Sequence, residues 1–212
     1  LEENNISFST FKDHVIFEQD EVVKSDGTPY RVYTPYSRTW LAAFADDRDL
    51  KDYSVASFEK LVKLTAHNNP SLSDIGFTTS KIAVPQYNIS KQTINQYEEL
   101  RNTPSVEGTS KIGVHLRFGS VSIRKSVAKA LQSTNQTFLK ELIWREFFMQ
   151  ILWHFPHTEN QSFKPQYDRI EWRNSPEDFQ RWCDGETGYP FVDAGMKDCL
   201  LYTSPSPRDG TK

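Results

Sequence analysis

The sequence predicts a mainly helical chain whose helical pattern is continuous from about residue 89. Residues 134–155 carry Phe138, Leu142, Phe148, Ile151, Leu152 and Phe155 at three- and four-residue steps, and Pro156 follows them. Further on, Ser175, Pro176, Glu177 and Asp178 open a segment that Gly185 closes, the order of residues that starts and stops a helix. Extended, β-branched runs are confined to the first 35 residues, too few for a domain of their own.

Each element follows from its local chemistry. "HVIF" (14–17) and "RVYT" (31–34) read as strands, and "SDGTP" (25–29) between them supplies a turn with Gly27 free to take positive φ. Residues 34–54 predict a short helix starting at Ser37 or Thr39. Residues 66–90 are rich in Asn, Ser, Thr and Pro and read as a long irregular connection, which implies that two units are being joined. Residues 90–102 predict a helix capped by Ser90, and residues 120–133 another capped by Ser120 or Ser122, with Val121, Val127 and Leu131 at helical spacing. The 134–155 helix follows, then short helices over 175–185 and 189–200. The last twelve residues, "LYTSPSPRDGTK", have no apolar periodicity and read as a tail.

The bulk numbers exclude little. The chain has 212 residues, a net charge of −3 and 13% aromatic residues, enough to fill a core. Two cysteines, Cys183 and Cys199, make neither a disulfide framework nor a zinc site, and a reducing compartment follows as the default. The five histidines lack metal-ligand spacing. No apolar run approaches a membrane span, and no signal peptide is present. These features predict an intracellular, cytoplasmic protein without a membrane partner. The chain begins at Leu1 within a polar stretch, as an internal fragment would, and a targeting signal could precede it.

Two stretches carry chemistry. In "ELIWREFF" (141–148), Glu141 and Arg145 are four apart on one helix face with Trp144 beside them. One reading is a surface ion pair. The other is a polar notch in the wall of a ligand pocket, because a helix apolar nearly all round should be buried and buried charges need partners. In "PSVEGTSKIGVHLRFGSVS" (104–122), Gly108, Thr109 and Ser110 can offer backbone N–H groups and two hydroxyls to an anion, or can form an ordinary turn. The stretch is not a P-loop. Arg101, Lys111, Arg117, Arg124 and Lys125 lie near it and could meet phosphates or simply be solvated.

Together these blocks resemble the DNA photolyase and cryptochrome family, on its cyclobutane pyrimidine dimer photolyase side. "ELIWREFF" followed by "DRIEWRNSPEDFQRWCDGETGYPFVDAGM" (168–196) carries the match. "YEELRNTPSVEGTSKIGVHLRFGSVSIR" (97–124) and "DEVVKSDGTPYRVYTPYSRTW" (20–40) extend it, so that it covers about residues 8 to 198. The resemblance implies that residues 1–35 end a Rossmann-like α/β antenna domain and that 36–88 are an interdomain linker. It implies that 89–200 are the first half of a helical FAD-binding domain. Residues 201–212 have no counterpart in the family.

The resemblance also implies roles. Tyr97, Thr109, Ser110, Ile112, Gly113 and Arg145 match FAD-contacting positions, Thr109 and Ser110 at the pyrophosphate; Gly113 stands where Ser is commoner. Glu141 and Trp144 match the lesion pocket, and Arg101 matches a position near DNA phosphates. Trp172 matches the outermost tryptophan of the chain that carries electrons to the flavin. The implied enzyme is a deoxyribodipyrimidine photo-lyase, a monomer acting on damaged DNA, with FAD and a folate or deazaflavin antenna chromophore in the parent protein. The alternatives are a cryptochrome light receptor, a (6-4) photoproduct enzyme, and a helical interaction domain without a cofactor. Because the family's later flavin-holding helices have no match here, the chain alone is expected not to retain FAD through gel filtration.

Overall fold

A computed structural model describes residues 7–9, 11–51, 69–79, 84–103 and 105–202. Its elements are helical: α1 (Tyr33–Ala43), α2 (Asp46–Asp49), α3 (Lys91–Leu100), α4 (Gly113–Arg117), α5 (Ile123–Leu131), α6 (Thr137–His154), α7 (Pro176–Cys183) and α8 (Pro190–Tyr202). Short 3-10 helices, Pro156–Glu159 and Pro165–Arg169, follow α6. The chain divides into one unit of residues 1–50 with 86–173 and a second of 51–85 with 174–212.

In the first unit α1, α3 and α5 pack on α6. Trp40 and Tyr36 of α1, Ile94 of α3, Val127 and Ala130 of α5, and Leu139 and Ile143 of α6 fill the core. The Phe17 ring meets Trp40 edge-on at 5.4 Å, and Tyr36 lies 5.2 Å from Phe147. Ser90 and Ser122 cap α3 and α5 by accepting from Thr93 N–H and Lys125 N–H. These caps resolve the choice between Ser120 and Ser122 in favour of Ser122.

The strands expected at "HVIF" and "RVYT" do not form. Among the described residues the only strand-like pairing is an isolated antiparallel bridge, Val23 to Pro29. The turn itself is present: Gly27 has φ +77°, and Lys24 N–H donates to Thr28 O at 3.0 Å. Tyr33 instead opens α1, four residues before the expected start at Ser37. Residues 16 and 17 donate their N–H groups to the Glu146 side chain rather than to a strand partner. The periodicity of α6 is also displaced. Phe138, Leu142, Ile143, Glu146, Phe147 and Gln150 are buried, whereas Phe148 and Leu152 are 61% and 55% exposed. Apolar residues on nearly every side of this helix hide which face is the core. The described parts of the 66–90 connection, 69–79 and 84–90, contain neither helix nor strand. Most of the predicted tail, residues 203–212, lies outside the described residues.

Asp49 anchors the end of α1 and the start of α2. Its carboxylate accepts from Arg48 Nε at 2.8 Å, Arg48 Nη2 at 2.7 Å and Ala45 N–H at 2.9 Å. Burial pushes the Asp49 carboxyl up, but the Arg48 and Ala45 donors outweigh it and hold it below the ordinary value. A depressed folded-state pKa gives stability above the unfolded pKa that is lost as pH falls through the folded one. Asp49→Asn should therefore lower stability at pH 7, and its gap to the parent should close in acid, from about pH 4 downward. Paired urea titrations at pH 7 and in acid check this.

In the second unit Ser175 caps α7 by accepting from Asp178 N–H, and Gly185 takes φ +68° at its end, as the sequence predicts. "TGYPFVD" (187–193) is a folded turn. Asp193 accepts from Thr187 N–H at 2.8 Å, Thr187 Oγ1 at 2.6 Å and Gly188 N–H at 3.0 Å.

Candidate flavin and lesion site

Helix α6 turns three polar residues in three directions. Glu141 pairs with Arg101 of α3 rather than with Arg145. The Arg101 guanidinium lies over the Tyr97 ring, 5.4 Å from its centroid, and Tyr97 meets Phe138 edge-on at 5.3 Å. Tyr97, Arg101 and Glu141 thus form one polar and aromatic cluster between α3 and α6. Burial, and then the Glu141 charge, push the Tyr97 phenol up.

Trp144 stacks on Tyr33 with 3.7 Å between ring centroids and a 6° interplanar angle. Phe148 continues the stack at 5.4 Å from Trp144. Tyr33 is fixed by its hydroxyl, which donates to Lys140 O at 2.9 Å. Trp144 therefore belongs to an aromatic ledge partly open to solvent. Tyr33 was hidden in the sequence because "RVYT" reads as a strand. Its role follows only from the start of α1.

Arg145 does not share the Glu141 cluster. Its Nη1 donates to His14 O at 2.7 Å and its Nη2 to Leu116 O at 3.4 Å. Burial pushes its guanidinium down, with Arg117 adding repulsion and Glu146 opposing both. The fully buried charge of this helix is Glu146, which sequence reading missed. It accepts from Ile16 N–H at 2.6 Å, Phe17 N–H at 3.1 Å and Trp40 Nε1 at 2.7 Å. Burial pushes its carboxyl up against these three donors. Its spacing could have revealed it, since it stands four residues after Leu142 and three after Ile143, on the buried face.

The Gly108–Gly113 loop packs against the end of α3. Gly108 N–H donates to Val106 O, and a Cβ on Gly108 would lie 2.4 Å from Leu100 Cβ and 2.9 Å from the Leu100 carbonyl. Gly108→Ala should thus cost about 1–3 kcal/mol through overpacking, read from a urea titration. Lys111 takes φ +53° and pairs with Glu107 at 2.6 Å. Ser110 is buried and its carbonyl accepts from Asn88 N–H, whereas Thr109 is exposed. Among the described residues the N–H groups of Thr109, Ser110, Lys111 and Ile112 meet no acceptor. Ile112 precedes α4 directly, and a Cβ on Gly113 would meet nothing within 4 Å.

Four successive donors with two hydroxyls suit the oxygens of a diphosphate. In its chemistry, free N–H groups beside hydroxyls, the donor set is of the kind that a diphosphate takes. Trp172 is 71% exposed, beyond the second 3-10 helix. Among the described residues no group of histidine, cysteine or acidic side chains could hold a metal ion. No described helix is long and apolar enough to cross a membrane.

The family model described as the FAD binding domain of DNA photolyase matches residues 138–203, and the one described as DNA photolyase matches residues 1–54. The chain belongs to the DNA photolyase family. It is 29% identical to a deoxyribodipyrimidine photo-lyase of Alkalihalophilus pseudofirmus, over 94% of this chain and 45% of that one. It is 32% identical to the enzyme of that name from Halobacterium salinarum, over 93% of this chain and 46% of the relative. Among solved structures it resembles a bacterial class III photolyase from Agrobacterium tumefaciens, with a TM-score of 0.67 and 25% identity. That likeness covers 92% of this chain and 45% of the solved one. The chain spans about half the length of these relatives.

Proposed function

We propose that this chain is part of a deoxyribodipyrimidine photo-lyase that binds FAD and repairs cyclobutane pyrimidine dimers in light. The observation that carries this reading is the Thr109–Ile112 run of unpaired N–H groups, in a chain whose relatives bear that name. Thr109, Ser110, Ile112 and Gly113 hold the FAD diphosphate, and Tyr97 packs beside the cofactor. Arg145 holds the wall through His14 and Leu116 and keeps further N–H groups for the flavin side. When bound, FAD supplies the photochemistry, an electron lent to the damaged base and taken back.

The protein's own residues do the positioning. The Trp144 ledge stacks against the extruded dimer, whose removal from the helix costs less than that of an intact base. The Glu141 carboxyl, in its neutral form and released by Arg101, donates a hydrogen bond to the damaged base as negative charge develops on it. Arg101, paired with Glu141 in the free protein, turns to the DNA phosphates in the complex. Trp172, on the surface, is the outer end of the path that delivers electrons to the flavin. The cryptochrome reading has no comparable support, since the relatives found are named photo-lyases.

Glu141→Gln separates binding from chemistry. It should leave affinity for dimer-containing DNA within about twofold while lowering the yield of light-driven repair several-fold, because only the charge-bearing state gains from the carboxyl. Flash photolysis with a matched binding titration on the flavin-loaded full-length protein reads both. Equal losses in binding and repair would remove Glu141 from this role.

A further inference from the structure

The first unit contains a cavity of about 140 Å³ at the foot of α5. Its lining includes Asp13, His14, Gly119, Ser122, Arg124 and Arg145. The space is several times what one water needs and well below the ~300–1,000 Å³ of a cofactor pocket.

Two guanidinium groups reach this space, and among the described residues neither forms an ion pair. Arg124 bonds only carbonyls, Asp13 O at 3.3 Å and Lys12 O and Val15 O at 3.4 Å. Arg145 also bonds carbonyls, those of His14 and Leu116. Each guanidinium has five N–H donors, so both keep donors in reserve. Asp13 is the one carboxylate in the lining, and its side chain is exposed and leans toward His14 Nε2 at 3.5 Å. Glu146 partly offsets the Arg145 charge from the core side, but no carboxylate pairs with Arg124 at this small polar cavity, and a part-buried arginine is costly in that state. Gly119 keeps the opening clear: it takes φ +66°, and a Cβ there would press on the His14 ring at 3.3 Å.

We propose that this cavity binds a small oxyanion, a phosphate or a carboxylate, held between Arg124 and Arg145 with the Ser122 hydroxyl at its rim. The site is separate from the Thr109–Ile112 cradle. It rests on the geometry of Arg124, Arg145 and Ser122, and it shares the Arg145 guanidinium with the flavin reading, each taking different N–H groups. Bound, the anion ties the 12–15 segment to α5 and α6 through the two arginines that already hold its carbonyls.

Thermal unfolding of the chain in sodium phosphate and in sodium acetate, each against sodium chloride at matched ionic strength, tests this. A saturable rise in unfolding temperature is expected with one of the two anions, as mass action requires of a ligand that binds only the folded state. Phosphate above acetate identifies a phosphate ligand, and the reverse a carboxylate. Arg124→Gln should weaken the response about tenfold or more, the scale of one charge-assisted hydrogen bond. Ser122→Asp guards against misfolding, because aspartate caps a helix as well as serine. Its carboxylate should occupy the cavity, raise the unfolding temperature in chloride and remove the anion response. No specific response in the parent, or a full response in Ser122→Asp, overturns the proposal. The response should persist with saturating FAD; its loss would make the cavity part of the flavin site and overturn a separate one. Failure of FAD itself to bind would count against the flavin reading alone.

Discussion

Glu146→Ala is expected to destabilise the first unit by about 3 kcal/mol or more. The carboxylate is the shared acceptor for Ile16 N–H, Phe17 N–H and Trp40 Nε1, all buried. Removing it leaves three donors unsatisfied and opens a void beside Trp40 and Tyr36, and each of these effects costs free energy. Glu146→Gln keeps one acceptor oxygen but points an NH2 at a donor, so an intermediate loss of about 1–3 kcal/mol is expected. Urea unfolding followed by tryptophan fluorescence gives both values.

A pH series sharpens the test. Burial raises the folded-state pKa of Glu146 above its ordinary value. Stability linked to a raised pKa is fully present below the unfolded pKa and is lost as pH rises through the folded one. The gap between the parent and Glu146→Gln should therefore widen on going from pH 8 toward the ordinary glutamate pKa. A gap that narrows in acid would mean that the three donors outweigh burial.

Trp144→Ala is expected to weaken binding of dimer-containing DNA by the flavin-loaded full-length protein about tenfold to a hundredfold, the usual scale for losing one aromatic platform under a base. Affinity for undamaged duplex should change little, because phosphate contacts dominate there. Trp144→Phe should recover much of the loss, since a ring between Tyr33 and Phe148 preserves the ledge. A matched pair of titrations on damaged and intact oligonucleotides reads the difference. Equal weakening on both would make Trp144 a structural support rather than a lesion contact.

The helical class, the caps at Ser90, Ser122 and Ser175 and the stop at Gly185 were legible because each depends on a few adjacent residues. The inward face of α6 was not, because Phe148, Leu152 and Phe155 compete with Ile143 and Phe147 for the same apolar signal. The carboxylate buried in that helix is Glu146, while Glu141 sits at the rim with Arg101. Both lie in "ELIWREFF", and the steps from Leu142 and Ile143 that put Glu146 inside can be read only once the inward face of the helix is known. The first 35 residues misled for a related reason. "HVIF" has strand chemistry, but its N–H groups at Ile16 and Phe17 are satisfied by a side chain 130 and 129 positions away, which no local pattern can show. The loop at Gly108, Thr109 and Ser110 could be read as an anion site or as an ordinary turn, because small hydroxylated residues serve both.

An equilibrium titration of FAD against the chain, comparing the parent with the Thr109→Val, Ser110→Ala double substitution, tests the central claim most directly. The parent is expected to bind FAD at equilibrium, too weakly to carry it through gel filtration, with ADP competing through the shared diphosphate, and the double variant to bind about tenfold more weakly or worse. Equal affinity in the two proteins, or no competition by ADP, would contradict the assignment of this loop to the flavin diphosphate.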